Sequence, residues 1–169
     1  MSHTVFSVHA LDEVGLLGLP HCGGTYQGAD GSWAFVIRVP GEIRGKGRPR
    51  FARRGKFVTV HSDEKTVSAE GRVQAAAMAA VGQPCLLGPL KLTVRITVTI
   101  PASWSQKKQR EAMGGYLWPT GRPDADNALK LLCDALNGIV WKDDAQLVDV
   151  RVEKRYGRVP GAVLWVGRV

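Results

Sequence analysis

Residues 91–100 alternate without a break. Leu92, Val94, Ile96, Val98 and Ile100 are apolar, and Lys91, Thr93, Arg95, Thr97 and Thr99 between them are polar. A period of two carried by β-branched residues describes a strand buried on one face. Such a strand needs an apolar layer to cover that face, so the rest of the chain must supply helices or a second sheet. Pro101 ends it.

The flanking segments supply that layer. Residues 35–39 read as a first strand, stopped by Pro40. Ser62-Asp63-Glu64 is a helix start, with a capping side chain and acids in the first turn. That helix continues through an alanine-rich stretch to Val81. Residues 102–122 form a long polar loop with a short helix over 106–113. A second helix spans 124–136, with Leu129, Leu132, Cys133 and Leu136 as its apolar stripe and Asn137-Gly138 as a left-handed stop. A turn at 142–144 leads to a third strand, with Val148, Val150 and Val152 on one face, and residues 163–166 form a last strand.

The class is therefore α/β (α+β), a single domain of β-α-β-α-β-β order, with a mixed sheet and helices packed on one face. The two crossovers predict parallel pairs and the final hairpin an antiparallel one. The domain runs over 34–169. Residues 1–33 hold three of the four histidines and no lysine or arginine, and are too short to bury a core of their own, so they read as an N-terminal extension.

Charge narrows the function. Lysine and arginine number 23 against 15 acids, a net charge of +8, which favours a polyanionic partner. Seven of the thirteen residues from 44 to 56 are basic and none is acidic: Arg44, Lys46, Arg48, Arg50, Arg53, Arg54 and Lys56. Glycine and Pro49 keep this stretch out of regular helix, as in a hairpin or arm suited to DNA phosphates. Phe51 within it and Phe57 just after it read first as packing residues and second as wedges against bases. Lys107 and Lys108, with Arg110, form a weaker second patch, and Arg122 lies beside the second helix. The three cysteines are scattered and form no metal-ligand or disulfide pattern, as in a reducing compartment. No stretch approaches a membrane span, which predicts a cytoplasmic protein.

The chemistry concentrates in acids. Asp124 and Asp126 stand at the start of the second helix, where the helix N-terminus favours anions. Lys130 lies one turn further on the same face as Asp126, and Asn127 adds a neutral oxygen. An isolated Asp-x-Asp is more often a helix cap. A second acidic pair, Asp143 and Asp144, follows in the turn before the third strand, where an ordinary solvated turn is the alternative. That turn can return to either end of the helix. If Asp144 reaches Asp124 and Asp126, three hard carboxylates surround one point and suit Mg²⁺ or Mn²⁺.

The run Pro-Asp-Ala-Asp-Asn-Ala-Leu-Lys at 123–130, then Asp-Ala-Leu-Asn-Gly at 134–138 and Trp-Lys-Asp-Asp-Ala-Gln at 141–146, resembles the RusA family of Holliday-junction resolvases. Lys-Gly-Arg-Pro-Arg-Phe at 46–51 and Ile-Pro-Ala-Ser-Trp-Ser at 100–105 resemble its phage-type members. The resemblance covers residues 34–156. It implies a homodimer that binds a four-way junction and makes paired, divalent-metal-dependent cuts leaving 5′-phosphate and 3′-hydroxyl ends. It matches the family's essential aspartates to Asp124, Asp126 and Asp144 and its essential lysine to Lys130, with Asp143 and Asn127 as second-choice ligands. The extension over 1–33 departs from the pattern. Two rivals remain: a DNA-binding module that does not cut, and a metal enzyme using Asp-x-Asp on a sugar nucleotide.

Overall fold

The computed structural model describes residues 24–27, 33–47, 50–54, 57–61 and 64–169. Its elements are β1 (Gly24–Gln27), β2 (Trp33–Pro40), β3 (Arg50–Arg54), β4 (Phe57–His61), α1 (Glu64–Val81), β5 (Leu90–Thr99), α2 (Gln106–Met113), α3 (Ala125–Leu136), a 3₁₀ turn (Asp144–Gln146), β6 (Leu147–Gly157) and β7 (Gly161–Arg168). The expected β-α-β-α-β-β order is present as β2, α1, β5, α3, β6 and β7. β3, from the later part of the basic stretch, pairs with β4, which follows that stretch, in a separate two-stranded sheet.

The main sheet runs β1-β2-β7-β5-β6. β5 and β6 are parallel, as the second crossover requires, and β7 is antiparallel to both β2 and β5. Two pairings differ from expectation. β2 and β5 point the same way but β7 lies between them, and β6 and β7 are joined by a tight turn without pairing, because β5 separates them. Burial explains the order. β5 and β7 carry Leu90, Leu92, Val94, Ile96, Ala162, Leu164 and Val166 into the core, so both belong in the interior of the sheet. β6 carries Asp149, Arg151, Glu153, Lys154 and Arg155, and a charged strand is tolerated at an edge.

One face of the sheet is covered by α1 and α3. Ile37, Val39, Leu92, Val94, Ile96, Leu164 and Val166 meet Ala69, Val73 and Ala77 of α1 and Ala128, Leu131, Leu132, Ala135 and Leu136 of α3 in one cluster. The stripe read on α3 is correct but too narrow. Leu129 is only partly buried, while Ala128, Leu131 and Ala135 widen the apolar arc. A helix wedged between a sheet and a second helix buries more than a single stripe. On β6 a register shift beside Leu90 and Lys91 breaks the expected run of valines, and Val148 and Val150 are exposed. Among the described residues no helix is long and apolar enough to cross a membrane.

The segment after β2 is docked. The Gly41 amide donates to the Pro160 carbonyl at 3.1 Å, the Lys46 amide to the Asn127 carbonyl at 3.1 Å, and the Gly47 amide to Thr66 Oγ1 at 3.1 Å. A Cβ on Gly45 would come within 3.1 Å of Asn127 Cβ, so the chain passes close over the first turn of α3. The base of the basic segment is thereby tied to the helix that carries the acids.

Leu132 is fully buried at the centre of this packing. Leu132→Ala should cost about 2–5 kcal/mol in urea unfolding, whereas Lys107→Ala on exposed α2 should stay within about 0.5 kcal/mol of the parent.

Candidate active site

α3 begins at Asp124, whose backbone is extended (φ −68°, ψ 139°) and whose carbonyl accepts from the Ala128 amide at 3.0 Å. Asp124 thus holds the N-cap position by its backbone. Its carboxylate makes no capping hydrogen bond. Asp126 is in the first turn. Asp124, Asp126, Asn127 and Lys130 are all exposed. Among the described residues the Asp124 and Asp126 carboxylates and the Lys130 ammonium take no hydrogen bond or ion pair. The ordinary readings, a cap for Asp124 and a surface pair between Asp126 and Lys130, are therefore not the ones adopted.

The second acidic pair divides its work. The Asp143 carboxylate accepts from the Ala145 amide at 2.9 Å, and Gln146 Oε1 accepts from the amides of Lys142 (3.0 Å) and Asp143 (3.1 Å). This is a capping box closing the 3₁₀ turn. Gln146 Nε2 also donates to the carbonyls of Leu86 and Gly88, both at 3.0 Å, stapling the turn to the approach of β5. Asp143 is a turn cap, which leaves Asp144 as the uncommitted carboxylate of the pair. The role of Gln146 was readable from its Asp-x-x-Gln spacing and was missed.

The turn returns to the C-terminal half of α3. Asp144 lies close enough to Cys133 for its charge to act on the thiol. Cys133 is seven residues beyond Asp126, about 10 Å along the helix axis. Among the described residues Asp144 is not grouped with Asp124 and Asp126 around one point. Among the described residues no group of three histidine, cysteine, aspartate or glutamate side chains is placed to hold a metal ion. Trp141 is fully buried, with Nε1 donating to Asn137 Oδ1 at 2.7 Å.

The basic residues separate into two groups. Lys46 turns inward, its ammonium on the Asp134 carboxylate and 3.8 Å from Glu70. It braces the docked segment against α3 and α1. Arg44, Lys107 and Arg122 are exposed. Lys108, also exposed, lies 3.9 Å above the Trp104 ring. Arg50, Arg53 and Arg54 fall on β3. Arg48 and Lys56 lie outside the described residues, and the side chains of Phe51 and Phe57 do as well.

A third element was not foreseen. Lys154 Nζ donates to the carbonyls of Gly121 (2.7 Å) and Pro123 (2.9 Å), immediately before Asp124. Arg155, its neighbour on β6, points to the other side of the strand and sits 3.6 Å from the centre of the Trp118 ring. The loop entering α3 therefore wraps the edge of the sheet and is held on both faces. Strand polarity could have suggested the alternation, but not what each side chain meets.

Burial pushes the Cys133 thiol up to about 12, with the charges of Asp144 and then Asp134 adding to the effect. A raised thiol pKa favours the protonated form in the folded state. Its contribution to stability is full below the ordinary value of 9.0 and is lost as pH climbs towards about 12. At pH 8 iodoacetamide should label exposed Cys85 and leave Cys133 unlabelled until denaturant is added, read by peptide mass mapping. Stability should fall across that alkaline window more steeply in the parent than in Cys133→Ala.

Comparison with known proteins identifies the family. Residues 40–166 match the family model described as endodeoxyribonuclease RusA. The chain is 36% identical over 136 residues to a Bacillus subtilis (strain 168) protein named "Uncharacterized protein YqaN", covering 78% of this chain and 94% of that one. The match takes in the docked segment, both acidic patches and every strand from β3 to the larger part of β7, and the chain belongs to the RusA endodeoxyribonuclease family.

Proposed function

We propose that this protein is a divalent-metal-dependent endodeoxyribonuclease that acts as a homodimer and resolves four-way and related branched DNA by paired phosphodiester hydrolysis. The observation that carries this reading is the pair Asp124 and Asp126 at the start of α3, one turn from Lys130 and, like it, without a side-chain partner among the described residues, in a RusA-family chain of charge +8. An acidic pair in so basic a protein is of no use to simple phosphate binding.

The donor set fits Mg²⁺, with Mn²⁺ as a substitute. Magnesium is commonly held by one or two carboxylates, its other positions left to phosphate oxygens and water. Asp124 and Asp126 offer two exposed hard-oxygen ligands at a helix end. A bound ion would supply positive charge at the phosphate and lower the pKa of a water molecule. Lys130 neutralises charge that develops on the phosphate oxygens. Arg44, Arg122, Lys107, Lys108 and the arginines of β3 hold flanking phosphates. Among the described residues Asp144 is not grouped with Asp124 and Asp126, so in this proposal it completes the site of the second copy. A two-fold dimer matches the symmetry of a four-way junction.

The lack of a three-carboxylate group among the described residues favours one rival, junction binding without cutting. Family membership leaves no basis for the sugar-nucleotide reading.

Cleavage of a synthetic four-way junction separates the two. Asp126→Asn and Asp144→Asn should each lower metal-dependent cutting by at least about 10²-fold, and chelator should abolish it in the parent. Co-refolding the two inactive variants should restore single nicks, because each mixed dimer contains one intact composite site. Undiminished cutting by Asp126→Asn would remove the metal assignment. Inactive mixed dimers would return all three aspartates to one chain, and tight binding with no cutting in any metal would favour the rival.

A further inference from the structure

The loop between α2 and α3 carries two large rings on the surface. Tyr116 is 81% exposed and Trp118 53%. Neither is loosely held. The Tyr116 amide donates to the Glu111 carbonyl at 3.0 Å, and its ring lies against Gly114, where a Cβ would come within 2.9 Å of it. The Trp118 ring rests on the Arg155 guanidinium, and Arg155 is itself anchored on Glu153. Lys154 pins the same loop at the Gly121 and Pro123 carbonyls. The rings are thus preordered and stand eight and six residues before Asp124.

We infer that Tyr116 and Trp118 form a stacking platform for unstacked bases at the DNA branch point, and so set the preference for branched over linear DNA. This rests on the nuclease reading above and assigns its substrate-selecting surface. Aromatic faces bind bases of any sequence by stacking, and an arginine stacked on the far side reinforces the ring. Linear duplex offers no free base face, whereas a branch point does. The charge around the platform suits a polyanion: Lys107, Lys108 and Arg110 on α2, Arg122 beyond the loop and Arg158 after β6 are all exposed. The nearby acid Glu153 is already taken by Arg155, and Arg95 lies 3.8 Å from it. The Lys154 tether keeps a stacked base at a set offset from the Asp124 and Asp126 carboxylates.

The test is fluorescence-anisotropy binding of the full-length protein to a four-way junction and to linear duplex of the same sequence, in Ca²⁺ without cutting. Oligomeric state is followed in parallel by sedimentation. Tyr116→Ala and Trp118→Ala should each weaken junction binding roughly 5- to 100-fold, change duplex binding by less than about 2-fold, and leave sedimentation unchanged. Tyr116→Phe, which keeps the ring, should bind the junction like the parent. Unchanged junction affinity in both alanine variants, or equal loss on both DNAs, overturns the inference. Dissociation of the dimer overturns it too and assigns the loop to contact between copies. A parent protein with no junction preference would instead sink the functional reading itself.

Discussion

Burial of α3 is the constraint on which the rest depends. Its apolar arc, Ala128, Leu131, Leu132, Cys133, Ala135 and Leu136, is sealed between the sheet and α1. A helix held along its length cannot slide or roll, so its N-terminus occupies one place. Asp124 and Asp126 inherit that place without side-chain bonds among the described residues. Among the described residues their carboxylates take no partner, because apolar packing, not side-chain capping, holds the helix start. The hydrophobic effect supplies the positional energy and the acids are left available for chemistry.

Three polar devices refine the position. Lys46, on Asp134 and near Glu70, fastens the segment after β2 to the last turn of α3 and to α1. Lys154 fastens the loop on the other side of Asp124 to β6. Gln146 and Asp143 close the turn that carries Asp144. Each uses a charged or amide side chain to satisfy backbone or carboxylate groups at an element end, where water would otherwise compete. The ion pair is partly exposed, so its contribution to stability is modest. Its effect is on geometry.

Local features were legible in the sequence because local rules decide them. Alternation over 91–100 gives β5 to within a residue, the 106–113 helix is present as read, and Asp124 does begin α3. The placement of β7 between β2 and β5 was not legible, because period and turn signals describe each strand's faces but not its neighbours. The same limit hid the location of Asp144. Its spacing from Asp126 allows a return to either helix end, and the contacts of Trp141 with Asn137 and Gly138 hold the preceding residues at the C-terminal end of α3. Lys46 looked like one of seven equivalent cations. Only the fold reveals that Asp134, 88 residues later, claims it. The aromatic loop gave no motif at all, since the stack of Arg155 on Trp118 joins residues that no short-range pattern relates.

The central claim is that the start of α3 is a metal-binding nuclease centre. Anomalous diffraction from crystals grown with Mn²⁺ and a junction-derived duplex tests it most directly. The account predicts a manganese peak bounded by the carboxylates of Asp124 and Asp126, with Asp144 of the second copy facing it. A peak confined to other carboxylates, or none at a Mn²⁺ concentration that supports cleavage, would contradict it.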